Sequence, residues 1–177
     1  MIYLVRHCQA EGQPPEAKLT DLGEQQAEVL ADFFSDKKID YIVSSPFTRA
    51  KHTVAPLSKK LGVDVTVDDR LAERVVSTND LPDILDKLKA TYEDDELKYE
   101  GGESSREATT RVVEVMKDLE DSEYENIVAV THGNLLSLLL RTYDPSFGFN
   151  EWKQLSNPDV YVIDGQKVQR LWEGKED

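Results

Sequence analysis

Arg6 and His7 follow directly on a run of four apolar residues, Ile2 to Val5. Their types point to one ligand. A guanidinium presents a planar fork that matches phosphate oxygens. An imidazole either binds such an anion as a cation or attacks phosphorus as a neutral nucleophile. One histidine cannot do both at once. Related groups recur far along the chain, in Ser44-Ser45-Pro46 with Arg49 one turn further, and in Thr131-His132-Gly133-Asn134. A second histidine allows a division of labour. Phosphoryl transfer also needs a proton donor for the leaving oxygen. Glu73, in Arg70-Leu71-Ala72-Glu73, offers a carboxyl whose pKa a neighbouring phosphate would raise.

These groups work together only if a fold gathers them, and the pattern between them describes one. Ile2 to Val5 reads as a short strand buried on both faces. Asp40 to Ser44, Val63 to Val67 and Ile127 to Thr131 are three more short apolar runs. Helical segments separate them. The first is capped by Thr20 or Asp21 and reaches about Ser35, with Leu22, Val29, Leu30, Phe33 and Phe34 on one face. The second opens at Ser45-Pro46, read as a cap followed by proline at the first helical position, and carries Ala50, Val54, Leu57 and Leu61. A third begins at the capping box Ser104-Ser105-Arg106-Glu107 and buries Ala108, Val112, Val115, Met116 and Leu119. A fourth runs from His132 through Leu140, its leucines all core. Val160 to Ile163 and Lys167 to Trp172 flank Asp164-Gly165, a hairpin turn. Strands alternating with helices imply an α/β fold: a three-layer αβα sandwich around a mostly parallel sheet, with one antiparallel strand from the final hairpin. Parallel strands put Arg6-His7, Ser45 with Arg49, and His132 on one edge of the sheet, where ligands of open α/β sheets bind. Helix N-termini at that edge add further affinity for anions.

Residues 74–103 interrupt the rhythm. Leu81, Ile84, Leu85 and Leu88 suggest an amphipathic helix, and Glu93-Asp94-Asp95-Glu96 and Gly101-Gly102 an exposed excursion. Two readings stand side by side, a solvated insertion and a lid or cap over the site. Otherwise residues 1–177 read as a single domain without repeats or linkers. A hydrophobic fraction of 39% and a charged fraction of 32% suit a soluble globular protein. A net charge of -14 argues against nucleic acid or an anionic membrane as partner, so positive charge must be concentrated locally to bind an anion. The one cysteine excludes an internal disulfide and favours a reducing cytoplasm. Met1 opens the first strand, leaving no signal peptide ahead of it, and the longest apolar run, Leu135 to Leu140, is too short to span a bilayer.

Taken in order, Arg6-His7, Ser45-Pro46 with Arg49-Ala50, Leu71-x-Glu73, Gly102-Glu103-Ser104 and Thr131-His132-Gly133-Asn134 resemble the histidine phosphatase superfamily, also called phosphoglycerate mutase-like. The resemblance covers residues 2 to about 164. It implies that His7 forms a phosphohistidine and that Arg6, Arg49 and His132 hold the transferred phosphoryl group. It implies that Glu73 donates a proton to the leaving group and then activates water. It also implies that the backbone at Gly133 and Asn134 offers N–H groups to the same oxygens. Gln13 stands where many members have a phosphate-touching asparagine. The substrate would be a small phosphorylated metabolite, with no cofactor and no metal.

The sequence departs from that pattern in places. Cys8 replaces the usual glycine of Arg-His-Gly. A thiol there could sit beside the nucleophile or strain the backbone; we read it as a small side chain packed in a crowded turn. Arg74-Val75-Val76-Ser77 stands in place of a tryptophan-glycine stretch common after the acid. His52 reads as structural or exposed, and Arg111 as lying on the solvated face of its helix. Glu103 and Ser104 read as starting that helix, with Ser104 also able to face substrate. Cysteine-dependent phosphatase chemistry fails because Pro14 occupies the position its arginine would need, and no nucleotide-binding P-loop is present. The remaining alternatives are a phosphoglycerate-type mutase and a non-catalytic phosphate-binding module. The shortness of the chain and the acidity of residues 74–103 favour phosphatase over mutase.

Overall fold

A computed structural model describes residues 1–172. Six strands form one sheet in the order β3-β2-β4-β1-β5-β6. β1 (Ile2–Arg6), β2 (Tyr41–Ser44), β3 (Val65–Val67) and β4 (Ile127–Thr131) run parallel to one another. β5 (Asp159–Asp164) runs antiparallel to β1, and β6 (Lys167–Arg170) antiparallel to β5. β5 alone therefore points against the rest, as the hairpin implied. The turn itself is one residue later than expected: Asp164 pairs with Lys167, so Gly165 and Gln166 make the bend, with Gly165 at φ +62°.

Side-chain alternation divides the core into two layers. Ile2 and Leu4 of β1 face one side with Ile127 and Ala129, against α4 (Ser105–Glu120) and α5 (Gly133–Tyr143). Tyr3 and Val5 face the other with Val128 and Val130, against α1 (Asp21–Phe34) and α2 (Thr48–Leu61). This is the αβα sandwich. Leu135, Leu136, Leu138, Leu139 and Leu140 are all buried, each worth about 1.5–3 kcal/mol relative to exposure. No helix of the described residues is long and apolar enough to cross a membrane.

Four local expectations change. α1 buries Gly23, Ala27, Leu30, Ala31 and Phe34, while Val29 is 56% exposed, because the inward stripe lies one residue off the assumed phase. Gly23 has a packing reason to be glycine: a Cβ there would lie 2.1 Å from the carbonyl oxygen of Gln9. α2 begins at Thr48 rather than at Pro46. The Ser45 hydroxyl accepts from the Phe47 amide, and the Thr48 amide is taken by the carbonyl of Pro15, so the chain turns once more before the helix starts. β3 is shorter than Val63 to Val67. In the excursion, α3 (Ile84–Glu93) buries Leu88 and Thr91 but leaves Ile84 and Leu85 about half exposed, since only its C-terminal half reaches the body of the protein. A short α6 (Phe149–Lys153) follows α5, and Phe149 packs edge-on to Tyr92 of α3. The Ser104–Glu107 capping box is formed in both directions.

Candidate active site

Three adjacent strands of one direction, β2, β4 and β1, deliver their C-terminal residues to one edge. The parallel register sets Arg6 opposite Thr131 and Ser44 opposite Val130. His7 and His132, each the next residue or nearly so, are thereby neighbours, with ring centroids 5.1 Å apart.

His7 places Nδ1 2.7 Å from the carbonyl oxygen of Cys8. A carbonyl only accepts, so Nδ1 carries the proton and Nε2 keeps its lone pair. Arg49 donates Nε–H to that lone pair at 3.3 Å. The backbone carbonyl of His7 is held by the Asn157 side chain at 3.0 Å. Burial, then the nearby Arg6 and Arg49 charges, lower the His7 pKa to about 3, despite the opposing hydrogen bond to Cys8.

Both arginines are anchored by carbonyls. Arg49, buried on α2, gives Nη1 to the carbonyls of Gln13 and Pro14. Arg6 gives Nη1 to the carbonyl of Leu155, and its buried Nε has no hydrogen-bond partner among the described residues. Burial lowers the pKa of each, so each guanidinium is a cation short of solvation. Gly133 makes room for Arg6. A Cβ at Gly133 would stand 2.9 Å from the Arg6 guanidinium carbon, and the bare backbone lets the cation lie against the start of α5. His132, fully buried, keeps Nε2 2.7 Å from the Ser45 hydroxyl, while Nδ1 has no partner among the described residues. Phe47 stands edge-on to it at 4.7 Å.

Glu73 lies directly beside this group, in an arrangement that the sequence did not suggest. Its Oε1 accepts the amides of Arg74 and Leu135, and its Oε2 the amide of Asn134. The carboxylate thus caps the N-terminus of α5. The Asn134 N–H, expected to face phosphate, is already engaged by Glu73, and the Asn134 side chain accepts from Arg74 at 3.5 Å. Gln13 enters through its carbonyl alone, its side chain being exposed. His52 is exposed, as expected.

Two residues were missed by reasoning from sequence. Arg111 is not solvated: its fork grips both carboxylate oxygens of Glu103 at 2.8 and 2.9 Å, and Nη1 reaches the carbonyls of Arg70 and Ala72. Glu103 in turn accepts the amide of Val75. Burial opposes its ionisation, yet the Arg111 fork and that amide hold its pKa low. Arg74, 4% exposed, gives its guanidinium to the Glu103 carbonyl, the Thr91 hydroxyl and Asn134. It pins α3 to the start of α5, so residues 74–103 rest against the end of the molecule that carries Glu73. A signal for both was available: arginines beside Glu73 and seven residues after the capping serine.

Cys8 is fully buried against Leu19 and Ala27, and its amide donates to the Thr53 hydroxyl. It has no positive φ. Burial pushes its thiol up to about 12. Packing, not reactivity, accounts for it.

Residues 2–173 match the histidine phosphatase superfamily (branch 1). The chain belongs to that superfamily. Among curated relatives, "Putative phosphoserine phosphatase 2" of Hydrogenobacter thermophilus is 33% identical over 155 residues, covering 78% of this chain and 76% of the relative. "Probable phosphoglycerate mutase GpmB" of Salmonella choleraesuis is 29% identical, covering 98% and 88%. A solved mycobacterial glucosyl-3-phosphoglycerate phosphatase, in complex with inorganic phosphate, superposes with a TM-score of 0.75 at 24% identity, covering 98% of this chain and 96% of that one. The last shows the shared fold.

Proposed function

We propose that this histidine phosphatase hydrolyses a small phosphomonoester in the cytoplasm through a phosphohistidine at His7. The observation that carries the reading is the unprotonated Nε2 of His7, fixed by the Nδ1 contact to Cys8 and facing the Arg49 guanidinium, with Arg6 and Arg49 forming no ion pair among the described residues. Nε2 attacks phosphorus as the bond to the leaving oxygen breaks. Arg6, Arg49 and His132 take the equatorial oxygens, joined by the start of α5 at Gly133. Glu73 gives its proton to the leaving oxygen. Its Oε2 accepts one amide, against two for Oε1, and so retains a lone pair on which that proton is carried. A water then attacks the phosphohistidine, Glu73 takes its proton, and Nε2 leaves with the bonding pair. The net charge of -14 keeps nucleic acid away.

A panel of phosphomonoesters tests this, including phosphoserine and 3-phosphoglycerate because relatives bear names with these groups. The expected result is release of inorganic phosphate by the wild type and none by His7→Ala. Turnover that survives this substitution would sink the nucleophile assignment. The mutase reading, which the Salmonella relative's name favours, predicts isomerised 3-phosphoglycerate with little free phosphate. Phosphate binding without any turnover would leave a binding module.

A further inference from the structure

Ser45 takes no part in the chemistry above, yet its hydroxyl is wholly buried beside the site at the end of β2. It makes two contacts. It accepts the Phe47 amide at 3.2 Å and lies 2.7 Å from Nε2 of His132. An amide nitrogen only donates, so the first contact uses an oxygen lone pair. A hydroxyl has one proton to give. Among the described residues, Nε2 of His132 is the group within hydrogen-bond reach that can accept it, when that nitrogen is unprotonated. If that proton points at Nε2, the proton of neutral His132 resides on Nδ1. Nδ1 is buried and has no hydrogen-bond partner among the described residues. Burial, followed by coupling to the titration of His7 and the charges of Arg49, Arg6 and Arg111, keeps the ring neutral, with a pKa lowered to about 2. A buried N–H without an acceptor is costly to leave unpaired, and it persists where a ligand completes it.

We propose that Ser45 is a positioning residue: its hydroxyl locks neutral His132 as the Nδ1–H tautomer, presenting that N–H to an oxygen of the transferred phosphoryl group. His132 then acts as a neutral directed donor, and the cationic work falls to Arg6 and Arg49. The tautomer of a histidine is set by what its other nitrogen bonds, so a site without the Ser45 hydroxyl would lose the preference. The ligand-facing half of the proposal rests on the phosphatase reading; the tautomer does not.

The tautomer is read directly by long-range proton–nitrogen correlation on the ligand-free protein with labelled histidines, His132 being assigned by loss of its signals in His132→Gln. The expected wild-type pattern has a protonated Nδ1 and a bare Nε2. The reverse pattern would overturn the proposal without any assay of turnover. Ser45→Ala is expected to lose this pattern and to lower kcat/KM about ten- to hundredfold, with Ser45→Thr restoring both. A folded Ser45→Ala protein with the wild-type pattern and rate would also overturn it. Should Ser45→Ala not fold, the wild-type spectrum still decides. Loss of the pattern without loss of rate would refute the phosphoryl contact while leaving the hydrogen bond.

Discussion

Nε of Arg49 donates across 3.3 Å to Nε2 of His7, the proposed attacking atom. The same guanidinium is tied behind by the carbonyls of Gln13 and Pro14. On the proposed mechanism, Arg49 would turn this N–H from the lone pair to a phosphoryl oxygen. Lysine has neither the fork nor the fixed plane to do both. Arg49→Lys is expected to lower kcat/KM about 10²–10³-fold, with weaker binding of inorganic phosphate. Steady-state kinetics and calorimetry check this; an unchanged rate would free Arg49 from the reaction.

Glu73 faces a different demand. Held by three backbone amides, it is both a cap for α5 and the proposed acid. Glu73→Gln keeps one acceptor oxygen but has no acidic proton. Transfer of the phosphoryl group to His7 from an alkyl phosphate, followed in a single turnover, should fall about 10²–10⁴-fold, while transfer from p-nitrophenyl phosphate, whose leaving group needs little protonation, should fall much less. Equal losses on the two substrates would mean that Glu73 acts only as a cap.

Acid should unfold this protein early. His7 and His132 have folded-state pKa values lowered to about 3 and about 2, below the ordinary 6.5. Their contribution is fully present above pH 6.5 and is lost as pH falls toward 3, because the unfolded chain then binds protons the native state refuses. The slope reaches about 1.4 kcal/mol per pH unit for each histidine. Denaturant midpoints between pH 6.5 and 5 should show a fall that His7→Gln reduces. A flat profile there would contradict the buried neutral rings.

Arg111 is expected to act on Glu73 at a distance. It bonds the carbonyls of Arg70 and Ala72 on one side and, through Glu103, the amide of Val75 on the other. The segment bearing Glu73 is framed at both ends. Arg111→Ala should cost about 2 kcal/mol of stability and lower kcat more than it raises KM. A double-mutant cycle with Glu103→Gln should show coupling. Urea titration and kinetics at saturating substrate separate the two effects.

Which of these features could be read from sequence follows from how local their causes are. The strands announced themselves because Ile2 to Val5 and Ile127 to Thr131 are uninterrupted apolar runs, and their polar ends fell on one edge because parallel order left no other place. The capping box at Ser104 depends on residues within one turn. The start of α2 was misplaced because the Thr48 amide is taken by the carbonyl of Pro15, which is remote in sequence. Arg111 looked like a surface residue for a similar reason. Its partners, the carbonyls of Arg70 and Ala72, are peptide groups that exist everywhere in a sequence and become a site only when a turn presents them. Glu73 was found by type and position, but its seat on α5 needed the helix to be in place.

The pairing of β1 bears on how the chain is born. β1 lies between β4 and β5, with Ile2 against Ile127 and Ile163. During synthesis, the strand that leads into His7, the proposed nucleophile, must wait without either neighbour until β4 has left the ribosome. Such distant pairing slows folding and prolongs the exposure of apolar segments. The earliest residues of the proposed site are thus assembled late, and a nascent chain halted before β4 would contain His7, Arg49 and Glu73 but lack the strand that joins β1 to β2.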